Sequence, residues 1–268
     1  MTRSTVADFF NSIASTYNFK YDKQKNSFLA HFFEERLKAA VQNARQPMGI
    51  VLDIGAGTGQ LYNYLIDKKI SFDDFWAVDI SSSMLNNSSI PEDRRIVGTV
   101  NSSVLSPLSG TIEQFFMLGV TTYMSIPDIQ EALRRIQELA DRDAELSITF
   151  TNNRSVESRL QRLIASALKM SKRVNRDWSN RYVASQTFDR TTLCESEMRS
   201  LLSPHGEIVE VNYQNQTFTP LNRIAPKFSI CVERQIQKVF GSNPRMMAAF
   251  SSDIHFRLRI AVMGVTPE

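Results

Sequence analysis

"VLDIGAGTG", residues 51–59, decides the fold. A short apolar run with one acid passes directly into three glycines at alternate positions, Gly55, Gly57 and Gly59. The flat hydrophobicity of Ile50 to Ile54 predicts a strand buried on both faces, as in a parallel sheet. Bare backbone at its end predicts a loop that a ligand approaches closely. The spacing is G-x-G-x-G. The dinucleotide fingerprint is G-x-G-x-x-G, whose third glycine lets helix and strand pack closely, and Gln60 occupies that position. A P-loop is excluded, because no G-K-[ST] follows. The loop alone leaves two ligands open: a dinucleotide, or a nucleoside-bearing cofactor without a pyrophosphate.

Working outward, strand and helix signals alternate. Gln60 to Asp67 reads as a helix with Leu61, Leu65 and Ile66 inward. "FWAVDI" (75–80), "RIVGTV" (95–100), "QFFMLGV" (114–120) and "ELSITF" (145–150) read as strands. Ser81 to Ser83 offer N-caps for a short helix through Met84 and Leu85. Pro127-Asp128 opens a helix with Ile129, Leu133, Ile136 and Leu139 on one face. This alternation predicts an α/β, doubly wound, Rossmann-like sheet with its ligand at the carboxyl ends of the strands. Before it, residues 1–46 read as helical, with Phe28, Phe32, Phe33, Leu37 and Val41 at helical spacing. After it come an amphipathic helix (Val156 to Met170), a helix from Thr191 to Leu202 capped by Thr191 or Thr192, and a strand at 207–213. A helix from Ile230 to Phe240 and a last strand at 256–265 follow, which makes seven strands. The expected organisation is a helical lid (1–46), a cofactor-binding core (47–155), a basic helical cap inserted after the fifth strand (156–206), and C-terminal elements that complete the sheet (207–268).

Asp79 closes the second strand, 20 residues past Gly59. An acid there is placed to accept hydrogen bonds from both ribose hydroxyls of a nucleoside. Its bland alternative, an N-cap, is work that Ser81 can do.

Composition is that of a globular protein: 268 residues, 42% hydrophobic and 22% charged. No run of about 18 apolar residues suggests a membrane span. No signal peptide is evident in the first residues, and the two distant cysteines, Cys194 and Cys231, point to a reducing, cytoplasmic setting. The histidines (His31, His205, His255) are scattered, so no metal site is expected. Net charge is +3, but residues 154–190 hold nine Lys or Arg against three acids. That segment favours an anionic partner or is a solvated face.

Together, "VLDIGAGTG", "WAVDISSSML", "EQFFMLGVTTYMSIPDIQEALRRIQELA" and "LSITFTNNRS" resemble class I S-adenosylmethionine-dependent methyltransferases, in the small-molecule branch. The N-terminal "FFNSIASTYNFKYD" is similar to the leader helix of that branch. The resemblance implies S-adenosylmethionine as cofactor and S-adenosylhomocysteine as product. Asp53 and the backbone of Gly55, Ala56, Gly57, Thr58 and Gly59 would hold the methionine part. Asp79 would bind the ribose, and Ile80 and Met84 would flank the adenine. Family members often carry D-A-x-x-L-P where this chain has "NSSVLSP", so Asn101, followed by Ser102, stands for the acid that receives the adenine amine. An amide carbonyl can still accept that bond. Leu118 and Gly119 would pass beneath the sulfonium, and Tyr17 and Tyr21 would sit in a lid over the site. Relatives often read L-K-P-G-G before the fifth strand. Here "ADRDAE" stands in place of that turn, at the edge away from the ligand.

Methyl transfer needs alignment, exclusion of water and, for a hydroxyl acceptor, a base. Tyr123, after the fourth strand, and Tyr17 are the candidate catalytic residues; Asp22 is a further lid candidate. His31 reads as a packed helix residue and His205 as part of a turn. The expected acceptor is a small molecule, with two readings of the basic segment: a cap gripping an anionic acceptor, or a peripheral face at anionic lipid reaching a lipid-linked one. Nucleic acid is disfavoured, since Trp178 and Tyr182 alone make a poor stacking platform. A cofactor-binding regulatory partner remains the non-enzymatic alternative. Oligomeric state is not legible.

Overall fold

The computed structural model describes residues 3–170, 190–217 and 219–262. Seven strands form one sheet in the order β3-β2-β1-β4-β5-β7-β6. They are β1 (Ile50–Ile54), β2 (Asp74–Asp79), β3 (Arg95–Val97), β4 (Ile112–Met117), β5 (Ala140–Thr151), β6 (Gly206–Gln214) and β7 (Asp253–Ile260). The first five are parallel, whereas β7 runs antiparallel between β5 and β6. The helices are α1 (Arg3–Ile13), α2 (Ser27–Val41), α3 (Gln60–Asp67), α4 (Ser82–Asn86), α5 (Ile126–Leu139), α6 (Val156–Met170), α7 (Glu195–Leu202), α8 (Thr219–Ile224), α9 (Pro226–Phe240) and α10 (Pro244–Phe250).

The central strands are mostly apolar, with Asp53 in β1 and Gln114 in β4 as buried exceptions, because helices cover both sheet faces. Successive side chains on a strand point to opposite faces, so each strand feeds two cores. Leu52, Val78, Phe115 and Ile148 pack with Ile129, Leu133 and Ile136 of α5 and with Met198 and Leu202 of α7. Their neighbours Val51, Ala77 and Phe116 pack on the other side with Leu37, Ala40 and Val41 of α2 and with Leu61 and Leu65 of α3. Helix α5 starts where the sequence predicts, with Ser125 and Asp128 in a reciprocal capping box and Pro127 in the first turn.

Topology places the site. From β1 the chain moves to β2 and β3, then returns to pair β4 on the other side of β1. The crevice beyond the carboxyl ends of β1 and β4 is therefore a topological switch point, where open α/β sheets bind ligands.

Several local expectations need correction. The stretch "ADRDAE" is not a turn: α5 ends at Leu139 and β5 starts at Ala140, with Ala140 and Ala144 buried. Strand β4 ends at Met117, which frees Leu118 to Val120 for the loop above it. Helix α7 starts at Glu195 rather than at Thr191, with Cys194 at its cap, because the Thr191 N–H is held by the Thr122 carbonyl. Helix α9 starts at Pro226, four residues before the predicted Ile230, since Pro is tolerated in a first turn. Helices α8 and α10 were not legible. In α6 the predicted apolar stripe faces outward at Leu160 (38% exposed) and Leu163 (68% exposed), while Glu157 is buried. Most of the basic segment, including Trp178 and Tyr182, lies outside the described residues. Among the described residues no helix is long and apolar enough to cross a membrane, and no group of three or more His, Cys, Asp or Glu could hold a metal ion.

Candidate functional site

The three glycines of the β1 loop all have positive φ, between 55° and 75°, but for different structural reasons. A Cβ on Gly55 would lie 2.2 Å from Val120 Cγ2, so Gly55 lets the β1 and β4 loops touch. A Cβ on Gly59, at the cap of α3, would crowd Ser88 and Ile90. A Cβ on Gly57 would meet nothing within 4 Å. Gly57 alone faces open space, and that space is a cavity of about 160 Å³ between the ends of β1, β2 and β4.

Asp79 organises the cavity floor. Its Oδ2 accepts the Gly57 N–H at 2.8 Å and its Oδ1 accepts the Ser81 N–H at 2.8 Å. One carboxylate thus ties the glycine loop to the start of α4, while the helix cap proper is Ser81, whose Oγ accepts the Met84 N–H. A carboxylate offers about four acceptor sites, so two backbone bonds leave capacity for a ligand's hydroxyls. Burial pushes the Asp79 carboxyl up, and the bonds from Ser81 and Gly57 pull against it.

Around this floor the structure brings together most of the predicted residues. Gly55, Gly57, Asp79, Ile80, Met84, Asn101, Leu118, Gly119, Tyr17 and Tyr123 all line the cavity. The Asn101 amide donates to Glu131 Oε1 at 2.6 Å, which leaves its carbonyl oxygen as an acceptor. Other predicted residues stand back from the wall. Ala56 and Thr58 are buried in the loop. Ser102 caps the turn that follows, accepting the Val104 N–H. Tyr21 packs behind Tyr17, ring centroids 5.8 Å apart, and against Phe33 at 4.3 Å. Asp22 accepts the Gln24 N–H in the turn that closes the lid.

Asp53 is buried within β1 and does not line the cavity. Loss of hydration, and secondarily the Asp79 charge, push its carboxyl up to about 8. At neutral pH the free site therefore holds a proton at Asp53, and a cation entering the cavity would favour its release.

The lid is α1 and the 3-10 segment Ala14–Tyr21. Two asparagines fasten it to the two ligand loops. Asn11 Oδ1 accepts from Ser81 Oγ at 2.7 Å and from the Ser83 N–H at 3.1 Å. Asn18 Oδ1 accepts from Thr58 Oγ1 at 2.7 Å and from Gln60 Nε2 at 3.0 Å. The lid contributes Val6 and Phe10 to the cavity wall, and the Phe10 ring meets Tyr123 edge-on at 5.1 Å. The sequence shows Phe10 only as part of the leader-helix stretch "FFNSIASTYNFKYD" and gives no sign of either asparagine's role. Periodicity flags apolar side chains and says nothing of a polar one reaching across to another element. Val120, Met124 and Asp128 also line the cavity, although the sequence gives none of them a site role.

The histidines lie elsewhere. His31 pairs with Glu233 at 3.2 Å, His205 with Gln137 at 2.7 Å, and His255 is buried in β7. None lines the cavity.

No family model and no curated protein matches the chain. Solved structures do match it along nearly their whole length. A chain from the Haloferax volcanii complex that contains the Trm112 methyltransferase activator superposes with a TM-score of 0.59 at 13% identity, covering 94% of this chain and 98% of that one. The magnesium protoporphyrin IX methyltransferase of Synechocystis PCC 6803 with bound S-adenosylhomocysteine gives 0.57 at 14% identity, covering 97% and 99%. A SAM-dependent methyltransferase from Archaeoglobus fulgidus gives 0.52 at 13% identity, covering 91% and 98%. The fold is therefore the Rossmann-like fold of class I S-adenosylmethionine-dependent methyltransferases.

Proposed function

We propose that the protein is an S-adenosylmethionine-dependent methyltransferase acting on a small-molecule acceptor at oxygen or nitrogen. The observation that carries this reading is Asp79, tied by its two oxygens to Gly57 and Ser81 on the floor of a cavity at the switch point between β1 and β4. A sulfonium cofactor bound there supplies a methyl group already activated for in-line displacement. Asp79 receives the ribose hydroxyls, the Asn101 carbonyl accepts from the adenine amine, and Ile80 and Met84 pack on the ring. Asp53 serves the cationic amino-acid end through the field of its carboxylate.

The chain's remaining task is alignment and exclusion of water, effects that together account for roughly 7 kcal/mol or more of a barrier in good cases. Phe10, Tyr17 and Tyr123 form the wall that does this. Burial, and then the neighbouring Tyr21, push the Tyr17 phenol well above its usual range. Tyr17 is therefore a neutral hydroxyl at physiological pH, which orients an acceptor and does not ionise to serve as a base. Tyr123 faces the same space and is the residue we assign to the acceptor.

Calorimetric titration with S-adenosylhomocysteine, with NAD as control, tests the reading on wild type and Asp79→Ala. Micromolar binding of the nucleoside, weakened by roughly a hundredfold or more in the variant, is expected from the loss of two charge-assisted hydrogen bonds. Wild type that ignores S-adenosylhomocysteine, or prefers NAD, would remove the cofactor and every role assigned from it.

A further inference from the structure

The helical insertion between β6 and β7 has an outer face that the cavity does not use. Residues 219–250 hold five Lys or Arg (223, 227, 234, 238 and 245) against one acid, Glu233. That acid is turned inward: it is buried, lies 3.2 Å from His31 on α2 and accepts the Gln216 N–H. The insertion therefore has no acid of its own on the outside to oppose its cations. Its helices leave the sheet after Gln214 and re-enter it at Asp253, which pairs with Thr151 at the carboxyl end of β5. They thus stand on the same edge of the sheet as the cavity.

Helix α9 sorts these side chains around its axis. Ser229 and Glu233 face inward and are buried. On the outside, Phe228, Cys231, Gln235 and Val239 follow one another at i, i+3, i+7 and i+11 and form one exposed stripe. Lys227, Arg234 and Lys238, at i, i+7 and i+11, form an exposed cationic stripe beside it. Phe228 is 60% exposed and Val239 64%, while Ile224, at the end of α8 just before α9, is 84% exposed. Single apolar side chains at a surface are ordinary. Three large ones set among cations, with no acid beside them, differ from a solvated helix face, where charges of both signs face water.

We propose that the outer face of α8 and α9 docks on an anionic lipid surface. Interfacial helices place apolar side chains at the acyl boundary and Lys or Arg among the headgroups, and this face carries both in adjacent stripes. Negative headgroups supply the counter-charge that the chain itself withholds. The buried core of a protein–protein interface is depleted of Lys, whereas Lys227 and Lys238 flank the apolar stripe here. A nucleic-acid backbone would pair with the cations but has no use for Ile224, Phe228 and Val239. The surface is separate from residues 154–190, and the inference does not depend on the cofactor reading. Docked this way, the chain holds its ligand edge close to the bilayer, which suits an acceptor drawn from lipid.

Co-sedimentation of the full chain with vesicles tests this, using phosphatidylcholine alone and an equimolar mixture with phosphatidylglycerol. Wild type is expected on the mixed vesicles and not on phosphatidylcholine alone, with binding that falls as salt is raised. Each cation near such a surface raises partitioning roughly fivefold, so the triple change Lys227→Gln, Arg234→Gln and Lys238→Gln should lower it roughly a hundredfold. Ile224→Ser with Phe228→Ser should lower it roughly tenfold or more. Arg154→Gln, Arg159→Gln and Arg162→Gln together, on α6, should lower it far less. Wild type that stays in the supernatant with mixed vesicles overturns the proposal. So does binding that the α6 changes abolish and the α9 changes leave intact. Binding to polyuridylate in place of vesicles is equally fatal and assigns the face to nucleic acid. Should the serine variant not fold, wild type decides alone. Cys231 lies on the exposed stripe, whereas Cys194 is buried. Mixed vesicles should slow labelling of Cys231 by a water-soluble maleimide severalfold, and equal rates with and without vesicles overturn the proposal. Sedimentation reads the same whether or not wild type binds S-adenosylhomocysteine, so failure of the cofactor reading is a separate result.

Discussion

Binding of the cationic cofactor should be coupled to release of a proton from Asp53. The carboxyl sits in β1 with its pKa pushed up to about 8 by burial, against a usual value of 3.8, and the Asp79 charge adds to the shift. Ammonium and sulfonium charges arriving above the glycine loop favour the carboxylate and draw its pKa back down. Below pH 8 each bound cofactor then displaces a proton, and affinity rises about tenfold per pH unit, since one unit corresponds to about 1.4 kcal/mol. Between pH 6 and pH 8 the gain is about fiftyfold, and above pH 8 it levels off. Calorimetry in two buffers of different ionisation enthalpy counts the protons directly: about one per cofactor at pH 6.5 and almost none at pH 9. The same group acts on the free protein with a definite sign. Its native pKa is raised, so between about pH 4 and pH 8 the folded chain keeps a proton that the unfolded chain has lost. The corresponding stability is complete below pH 3.8 and is lost as pH climbs through that window, at up to about 1.4 kcal/mol per unit. Asp53→Asn should therefore bind cofactor weakly at every pH, release no proton, and melt increasingly above wild type as pH rises from 5 to 8. A wild-type affinity that stays flat from pH 6 to pH 8, with no proton released, would refute the assignment of Asp53 to the cationic end of the cofactor.

The glycine loop gives a paired contrast. Gly55→Ala drives a methyl group to within 2.2 Å of Val120 at a positive φ, and should cost about 2–3 kcal/mol of stability in denaturant titration. Adding Val120→Ala should recover the steric part and leave about 1 kcal/mol of backbone strain. Gly57→Ala meets no protein atom within 4 Å, so it should cost only that strain in stability yet lose tenfold or more in S-adenosylhomocysteine affinity. Equal effects of the two on affinity and stability would contradict their separate roles. Asn18→Ala removes the acceptor shared by Thr58 and Gln60. Limited proteolysis should then cut within residues 14–26 several times faster, and bound nucleoside should slow that cleavage less than in wild type.

How much of this could be read before the structure depended on whether a residue's reason was local. The strand that ends in Gly55, the acid at Asp79 and the cap at Ser81 each follow from neighbours within a few positions, and all three lie where the sequence places them. The alternation of strand and helix also points to the ligand edge, because burial on both faces writes itself as mostly apolar runs, broken only by Asp53 in β1 and by Glu113 and Gln114 in β4. What escaped was set by contacts far apart in the chain. Asn11 and Ser81 are 70 residues apart, and Asn18 and Thr58 are 40 apart. Neither pair leaves a periodic trace. Helices α8 and α10 are only six and seven residues long, too short for a 3.6-residue pattern to stand out from loop composition. The exposed Leu160 and Leu163 show the converse failure: an apolar stripe predicts a helix correctly but not that a partner covers it. Arg36 illustrates the limit most clearly. In sequence it is one basic residue in an amphipathic helix, E-E-R-L-K, and a solvated charge is the sensible expectation. Only the fold places it beside Gly119, half-buried, with the Asp253 carboxylate 3.7 Å away and, among the described residues, no hydrogen-bond partner for its Nε.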